Sequence, residues 1–336
     1  MPPGNRRTGA RAPRRARAAL LALSALLYCS AAQATADDAA ANLAGIDLRS
    51  LPLGDGHVTS AGPEAGSVYV CTTAPFDGRR GGGRPGSPWI HADGTFDASS
   101  KPQVAGSVAW PDHEFSVSVR GDARTIYTND LPNAPTGIFP IPPESEAYAY
   151  DRNPNTIQAQ RLSVTVPAHP GVAGGAVCLP PGGPIGVLLT GGELYNALDA
   201  EGRNAVAHEL QDRCWGHPQR TGAYHYHSLT PCLPLGDKHG LPPLLGYAFD
   251  GFGIYGPYQD GKLLSNAGLD ACHGTTSAVV WDGRTVVMYH YVANFEFPYT
   301  LGCYRGTPVR VRPEGGPPAG GPGGPPPRLD NPPGAP

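Results

Sequence analysis

The stretch TGAYHYHSL, residues 221–229, alternates two histidines, His225 and His227, with two tyrosines, Tyr224 and Tyr226. Residues i and i+2 of a strand share a face. A strand here therefore presents an imidazole face and a phenol face. The phenols are expected to pack in the core. The imidazoles, roughly 6.6 Å apart at the backbone, can converge on one ion. The same alternation also describes a half-buried strand whose histidines only close hydrogen-bond networks, or one whose histidines act as acid and base.

Short alternating runs recur along the chain: SVYVCTT (67–73), GSVAW (106–110), EFSVSV (114–119), RTIYT (124–128) and RLSVTVP (161–167). They are read as strands separated by Gly, Pro and Asn turns. PIGVLLTGG (184–192) reads as a buried strand. PLLGYAFDGFGIYGPYQDGK (243–262) reads as two short strands, with a turn at Asp260-Gly261. VVWDGRTVVMYHYV (279–292) predicts a hairpin across Asp282-Gly283, and FPYTLGCY (297–304) a last strand. A short helix is expected at 37–46. One α-helix is expected near 200–213, capped by Asp199, with Val206 and Leu210 four apart. With 46 glycines, 39 prolines and 16% charged residues, the fold class is mainly β, antiparallel and sandwich- or barrel-like. No fixed-period repeat is evident.

The N-terminus predicts export. Six arginines between Arg6 and Arg17 precede the apolar run AALLALSALLYC and the A-x-A options ending at Ala34 and Ala36, as in a signal peptide. The apolar run is too short to span a membrane, so no transmembrane anchor is expected. With those arginines removed from 25 basic residues against 28 acidic ones, the remaining chain is acidic. That argues against nucleic-acid partners. Cys29 lies in the leader. The remaining six cysteines predict three disulfides in an exported chain. Of the possible connectivities we favour Cys71–Cys178, Cys214–Cys232 and Cys272–Cys303. The divisions are a signal peptide (1–36), a linker (37–53), a β-rich part (54–183), a motif-bearing region (184–311) and a disordered Pro/Gly-rich tail (312–336). The expected location is periplasmic or extracellular.

Seven of the 11 histidines fall between His208 and His290. His217 sits in the turn leading into the opening strand. His290, in Tyr289-His290-Tyr291-Val292, partly echoes the motif with valine in the fourth place, and His273 follows Cys272. His225, His227, His290 and His217, with His273 nearby, form the candidate metal site. Imidazoles without free thiolates suit zinc or copper(II). Asp250, Tyr224, Tyr226 and Tyr289 are candidate supporting residues, Asp250 as a histidine's orienting partner or as a turn cap. His208 and Asp212 read as a surface pair one helical turn apart, and His239 as an exposed loop residue.

RCWGHPQRTGAYHYHSLTPCL, LLGYAFDGFGIYGP, LDACHG and FPYTLGCYRGTP resemble the YHYH-domain family, as do GVLLTGGELYNALDAEGRNAVAHELQDRC and shorter upstream strings. The resemblance spans roughly residues 54–311. It implies an exported protein and does not imply an activity. Two alternatives stand beside the metal site. One is a hydrolase-type enzyme using a histidine base with Asp250 or Asp212 on a polar substrate such as a glycan or ester. The other is a non-catalytic glycan- or protein-binding module with structural histidines.

Overall fold

The computed structural model describes residues 1, 36–74, 76, 87–236 and 240–311 of the 336-residue chain. The expected signal peptide with Cys29, most of the glycine-rich loop at 77–88, His239 and the Pro/Gly-rich tail lie outside the described residues.

The protein is mainly β. A three-stranded antiparallel sheet is formed by β1 (Phe115–Arg120), β2 (Ala123–Thr128) and β3 (Leu162–Pro167). Along β3 buried and exposed residues alternate strictly, as a one-sided sheet requires. The larger sheet has eight strands: β4 (Pro184–Leu188), β5 (Glu193–Tyr195), β6 (Gly216–Pro218), β7 (Tyr224–Tyr226), β8 (Leu244–Ala248), β9 (Gly253–Tyr255), β10 (Gly274–Trp281) and β11 (Arg284–Val292). Their order is β6-β7-β5-β4-β8-β9-β11-β10. The edges do not meet, so the sheet is not a closed barrel. The pairings β7–β5 and β9–β11 are parallel, which makes this sheet mixed where an antiparallel one was expected.

One buried apolar cluster runs from Ala39 to Tyr304 and includes Tyr224 and Tyr226. Burying each of these phenol rings contributes on the order of 4 kcal/mol. Cys71–Cys178, Cys214–Cys232 and Cys272–Cys303 are disulfides. Among the described residues no helix is long and apolar enough to cross a membrane.

Helix is scarce. The α1 helix spans Ala36–Asn42. The helix expected near 200–213 shrinks to one turn, α2 (Ala205–His208). Asp199 instead closes a turn: its Oδ1 accepts the amides of Glu201 (2.8 Å) and Arg203 (2.9 Å), and its Oδ2 meets Arg203 Nη2 at 2.7 Å. Past the turn, the buried Lys101 Nζ donates to the carbonyls of Val206 (2.5 Å) and Glu209 (2.8 Å). Those carbonyls are ones a continuing helix would use. Glu209 is already extended, at φ −95° and ψ 139°. Residues 297–304 form no strand. Only Tyr304 bridges, to Val177.

Candidate metal centre

Three local features assemble the centre. The antiparallel pairing of β6 with β7 sets His217 directly opposite His225. His227 follows two residues on, leaving β7 on the same face. Glu209 arrives from the extended segment after α2. All three histidines are buried, at 3–5% exposure, and the Glu209 side chain is 13% exposed.

The polar atoms converge. His225 Nε2 and His227 Nε2 are 3.1 Å apart. Glu209 Oε2 lies 3.2 Å from both His217 Nε2 and His227 Nε2. One nitrogen from each of His217, His225 and His227 can be chosen so that all lie within 4.8 Å of one another. Tetrahedral donors at ~2.1 Å from an ion stand roughly 3.4 Å apart, so the shorter separations already fit and the widest needs a modest contraction.

Second partners decide the tautomers. His227 Nδ1 faces the carbonyl of Asn196 at 2.6 Å, which can only accept, so this nitrogen carries the proton. His225 Nδ1 faces the carbonyl of Ala223 at 3.4 Å, the same arrangement in weaker form. In its neutral form His227 therefore turns its Nε2 lone pair toward His225 Nε2 and toward the Glu209 carboxylate. Glu209 Oε2 and both His217 nitrogens have no well-formed hydrogen bond. Acceptors converging in a buried site require a cation among them, a proton or a metal. Burial alone would raise Glu209, but His217 and His227 beside it hold its carboxyl well below the usual range. Burial pushes His225 well below the ordinary imidazole range, and neighbouring His217 and His227 add to this.

Tyr195 of β5 stacks on His225 with ring centroids 4.1 Å apart. Gln219 Nε2 donates to the Tyr195 hydroxyl at 2.8 Å. Above the ring cluster opens a cleft of about 500 Å³. Its walls include Asp151, Asn153, Asn155, Gln219 and Arg220, and its floor includes Glu209 and the three histidines. The Asn153-Pro154-Asn155 segment is one wall, turned by Asn155 N–H donating to Asn153 Oδ1 at 3.0 Å.

Two expected ligands lie elsewhere. His290 is on β11, separated from β7 by β5, β4, β8 and β9. Its ring packs on Tyr255 at 5.1 Å, and Nδ1 faces the Met288 carbonyl at 3.1 Å. His273 is buried with Nδ1 beside the Val292 and Thr300 carbonyls (2.7 and 3.1 Å) and Nε2 beside Asn266 Oδ1 (2.7 Å). Sequence echo placed His290 on a similar strand, but sheet order puts that strand at the far side. Among the described residues Asp250 meets no histidine. It accepts the Tyr291 hydroxyl (2.5 Å) and the amides of Gly306, Arg305 and Phe252, so its carboxylate is spent on a turn. Tyr224 donates to Asp212 at 2.9 Å and Tyr289 to Asp270 at 3.1 Å. Tyr226 packs on Tyr224 with centroids 5.3 Å apart. These tyrosines line the opposite face of their strands and do not reach the centre. His208 and Asp212 are no surface pair: both are buried, and His208 Nε2 meets Asp55 Oδ2 at 2.8 Å.

Sequence reading missed Glu209, Tyr195 and the Asn196 carbonyl. Glu209 sat inside an expected helix, where its carboxylate had no reason to be singled out.

Residues 163–263 match the family model described as YHYH protein. That span contains His217, His225, His227 and Glu209 and excludes His273 and His290. No curated protein and no solved structure matches the chain.

Proposed function

We propose that His217, His225 and His227, with Glu209 as the fourth donor, hold a divalent transition metal, zinc or copper(II), within the segment that matches the YHYH family model. The observation that carries this reading is the convergence of one ring nitrogen each from buried His217, His225 and His227 within 4.8 Å of one another, with the Glu209 carboxylate against two of them and His227 Nδ1 turned to the Asn196 carbonyl. A polar network built only for stability would place a donor against each acceptor. The three imidazoles and one carboxylate suit zinc or copper(II) by donor type. The cleft above the centre favours a site reached by small polar ligands over a closed structural one. A metal held there would supply a Lewis acid that polarises a ligand oxygen or acidifies a bound water. Tyr195 fixes the His225 ring by stacking, and Asn196 fixes the His227 tautomer.

The three disulfides and the basic, apolar leader support an exported protein, periplasmic or extracellular, in which thiolates are unavailable to a metal. Metal content of the oxidatively folded mature chain, measured against the H225A/H227A variant, tests the reading. Wild type is expected to retain about one equivalent, and the variant none. Equal, negligible zinc and copper in both would sink it.

A further inference from the structure

We infer that the eight-stranded sheet is two copies of one four-stranded unit, and that the second copy carries the same metal site stripped to a single histidine. The second part rests on the metal reading above.

The strand order is symmetric about its centre, with β6-β7-β5-β4 mirrored by β10-β11-β9-β8. The central pair β4–β8 matches Gly186 with Ala248, Val187 with Tyr247 and Leu188 with Gly246. A two-fold rotation through Val187 and Tyr247 exchanges these partners. The close approach is reciprocal: a Cβ on Gly186 would strike the Tyr247 carbonyl, and one on Gly246 the Val187 carbonyl. The inner hairpins share a register, Val187↔Glu193 and Gly186↔Leu194 in one, Tyr247↔Gly253 and Gly246↔Ile254 in the other. Both then slip at the same place, before Gly186 and before Gly246.

The outer pairs repeat as well. Gly216↔Tyr226, His217↔His225 and Pro218↔Tyr224 correspond to Gly274↔Tyr291, Thr275↔His290 and Thr276↔Tyr289. They join the inner hairpins in parallel through Tyr226↔Leu194 and Tyr291↔Ile254. Side chains follow the backbone. Asp212 accepts from the amides of Cys214 and Gly216 and from the Tyr224 hydroxyl. Asp270 accepts from the amides of Cys272 and Gly274 and from the Tyr289 hydroxyl. Trp215 and His273, the residues after each cysteine, both have positive φ, 62° and 69°. Both cysteines are in disulfides. A shared bulge, left-handed residue and carboxylate cradle are independent coincidences in unrelated hairpins and a single fact in a duplication.

The correspondence maps the centre. His225 becomes His290, each packed on a tyrosine of the inner hairpin, Tyr195 or Tyr255. His217 becomes Thr275. His227, two residues past His225, becomes Val292. Glu209, three residues before Asp212, becomes Ala267. One of four donors survives, and its buried Nε2 has no hydrogen-bond partner among the described residues.

The test rebuilds the second centre. T275H/V292H is expected to bind one zinc equivalent more than wild type, measured by equilibrium dialysis and metal analysis. Because Val292 is buried, T275H alone guards against misfolding: Thr275 is only partly buried, and this variant is expected to gain one weaker Cu(II) site, read by electron paramagnetic resonance. The gain is counted over wild type. Zinc in wild type and no gain in either variant overturns the duplicated site and leaves the first centre standing. No zinc in wild type removes the first reading and with it the stripped copy of that site, whatever the variants gain. No metal in any of the three overturns both.

Discussion

His225 and His227 meet through their Nε2 atoms at 3.1 Å, with the His227 ring held from behind by the Asn196 carbonyl on its Nδ1. A bound cation can take both nitrogens as ligands in place of this contact. Zinc is therefore expected to raise the melting temperature of wild type. At a hundredfold excess over Kd the gain is about 2.7 kcal/mol. H227A should show no zinc-dependent shift in a thermal melt. An equal shift in both proteins would disprove the contribution of this pair.

Among the described residues, Glu209 adds the only carboxylate that reaches His217 and His227 together. E209Q keeps the size and removes the charge. Its zinc affinity should fall by roughly tenfold or more, read by competition with a chromophoric chelator. Unchanged affinity would show that Glu209 is a bystander.

Tyr224 faces away from the centre, and its hydroxyl is a donor to buried Asp212. Y224F leaves that carboxylate short of a partner, which should cost about 1–3 kcal/mol in urea unfolding with m unchanged. Zinc stoichiometry should stay that of wild type. Loss of metal together with stability would mean the two faces of β7 are not independent.

Asp212 also predicts a pH dependence. Burial raises its carboxyl to about 6, against backbone and Tyr224 donors that pull it down. The native state thus holds the proton more tightly than the unfolded chain. Stability from this group falls as pH rises from about 4 to about 6 and is level above, by at most about 3 kcal/mol. D212N should lose that slope in unfolding experiments across this window. The same slope in D212N would assign it to another group.

The Cys214–Cys232 bridge closes a separation of 18 residues around β6 and β7. Chain-entropy arguments give it about 3 kcal/mol. C214A/C232A should unfold at correspondingly lower denaturant and bind zinc more weakly, because both histidine strands lose a common anchor. A stability loss with unchanged zinc affinity would separate the bridge from the site.

Much of this was legible in local pattern. Alternation identified β1, β2, β3 and β7, and the Asp-Gly turns marked the hairpin joining β10 to β11. Cysteine parity led to three bridges, and the favoured pairing is the one the structure has. The α2 segment misled because AEGRNAVAHELQDR has helical periodicity, while Lys101, about a hundred residues upstream, takes carbonyls that a continued helix would have needed. The internal duplication escaped a search for fixed periods because equivalent residues are not evenly spaced: Gly186 and Gly246 are 60 apart, His217 and Thr275 58, Tyr224 and Tyr289 65.

The sequence by itself determined that residues 224–227 form a two-faced strand, since side-chain direction in a strand depends only on residue parity. It also determined a β-rich, disulfide-bonded chain. Which histidines share a centre was decided by tertiary structure alone. Parity cannot say that His217 lies across from His225, that Glu209 is carried in from a broken helix, or that four strands separate the look-alike His290 from β7. Those are consequences of register and strand order, which long-range pairing settles.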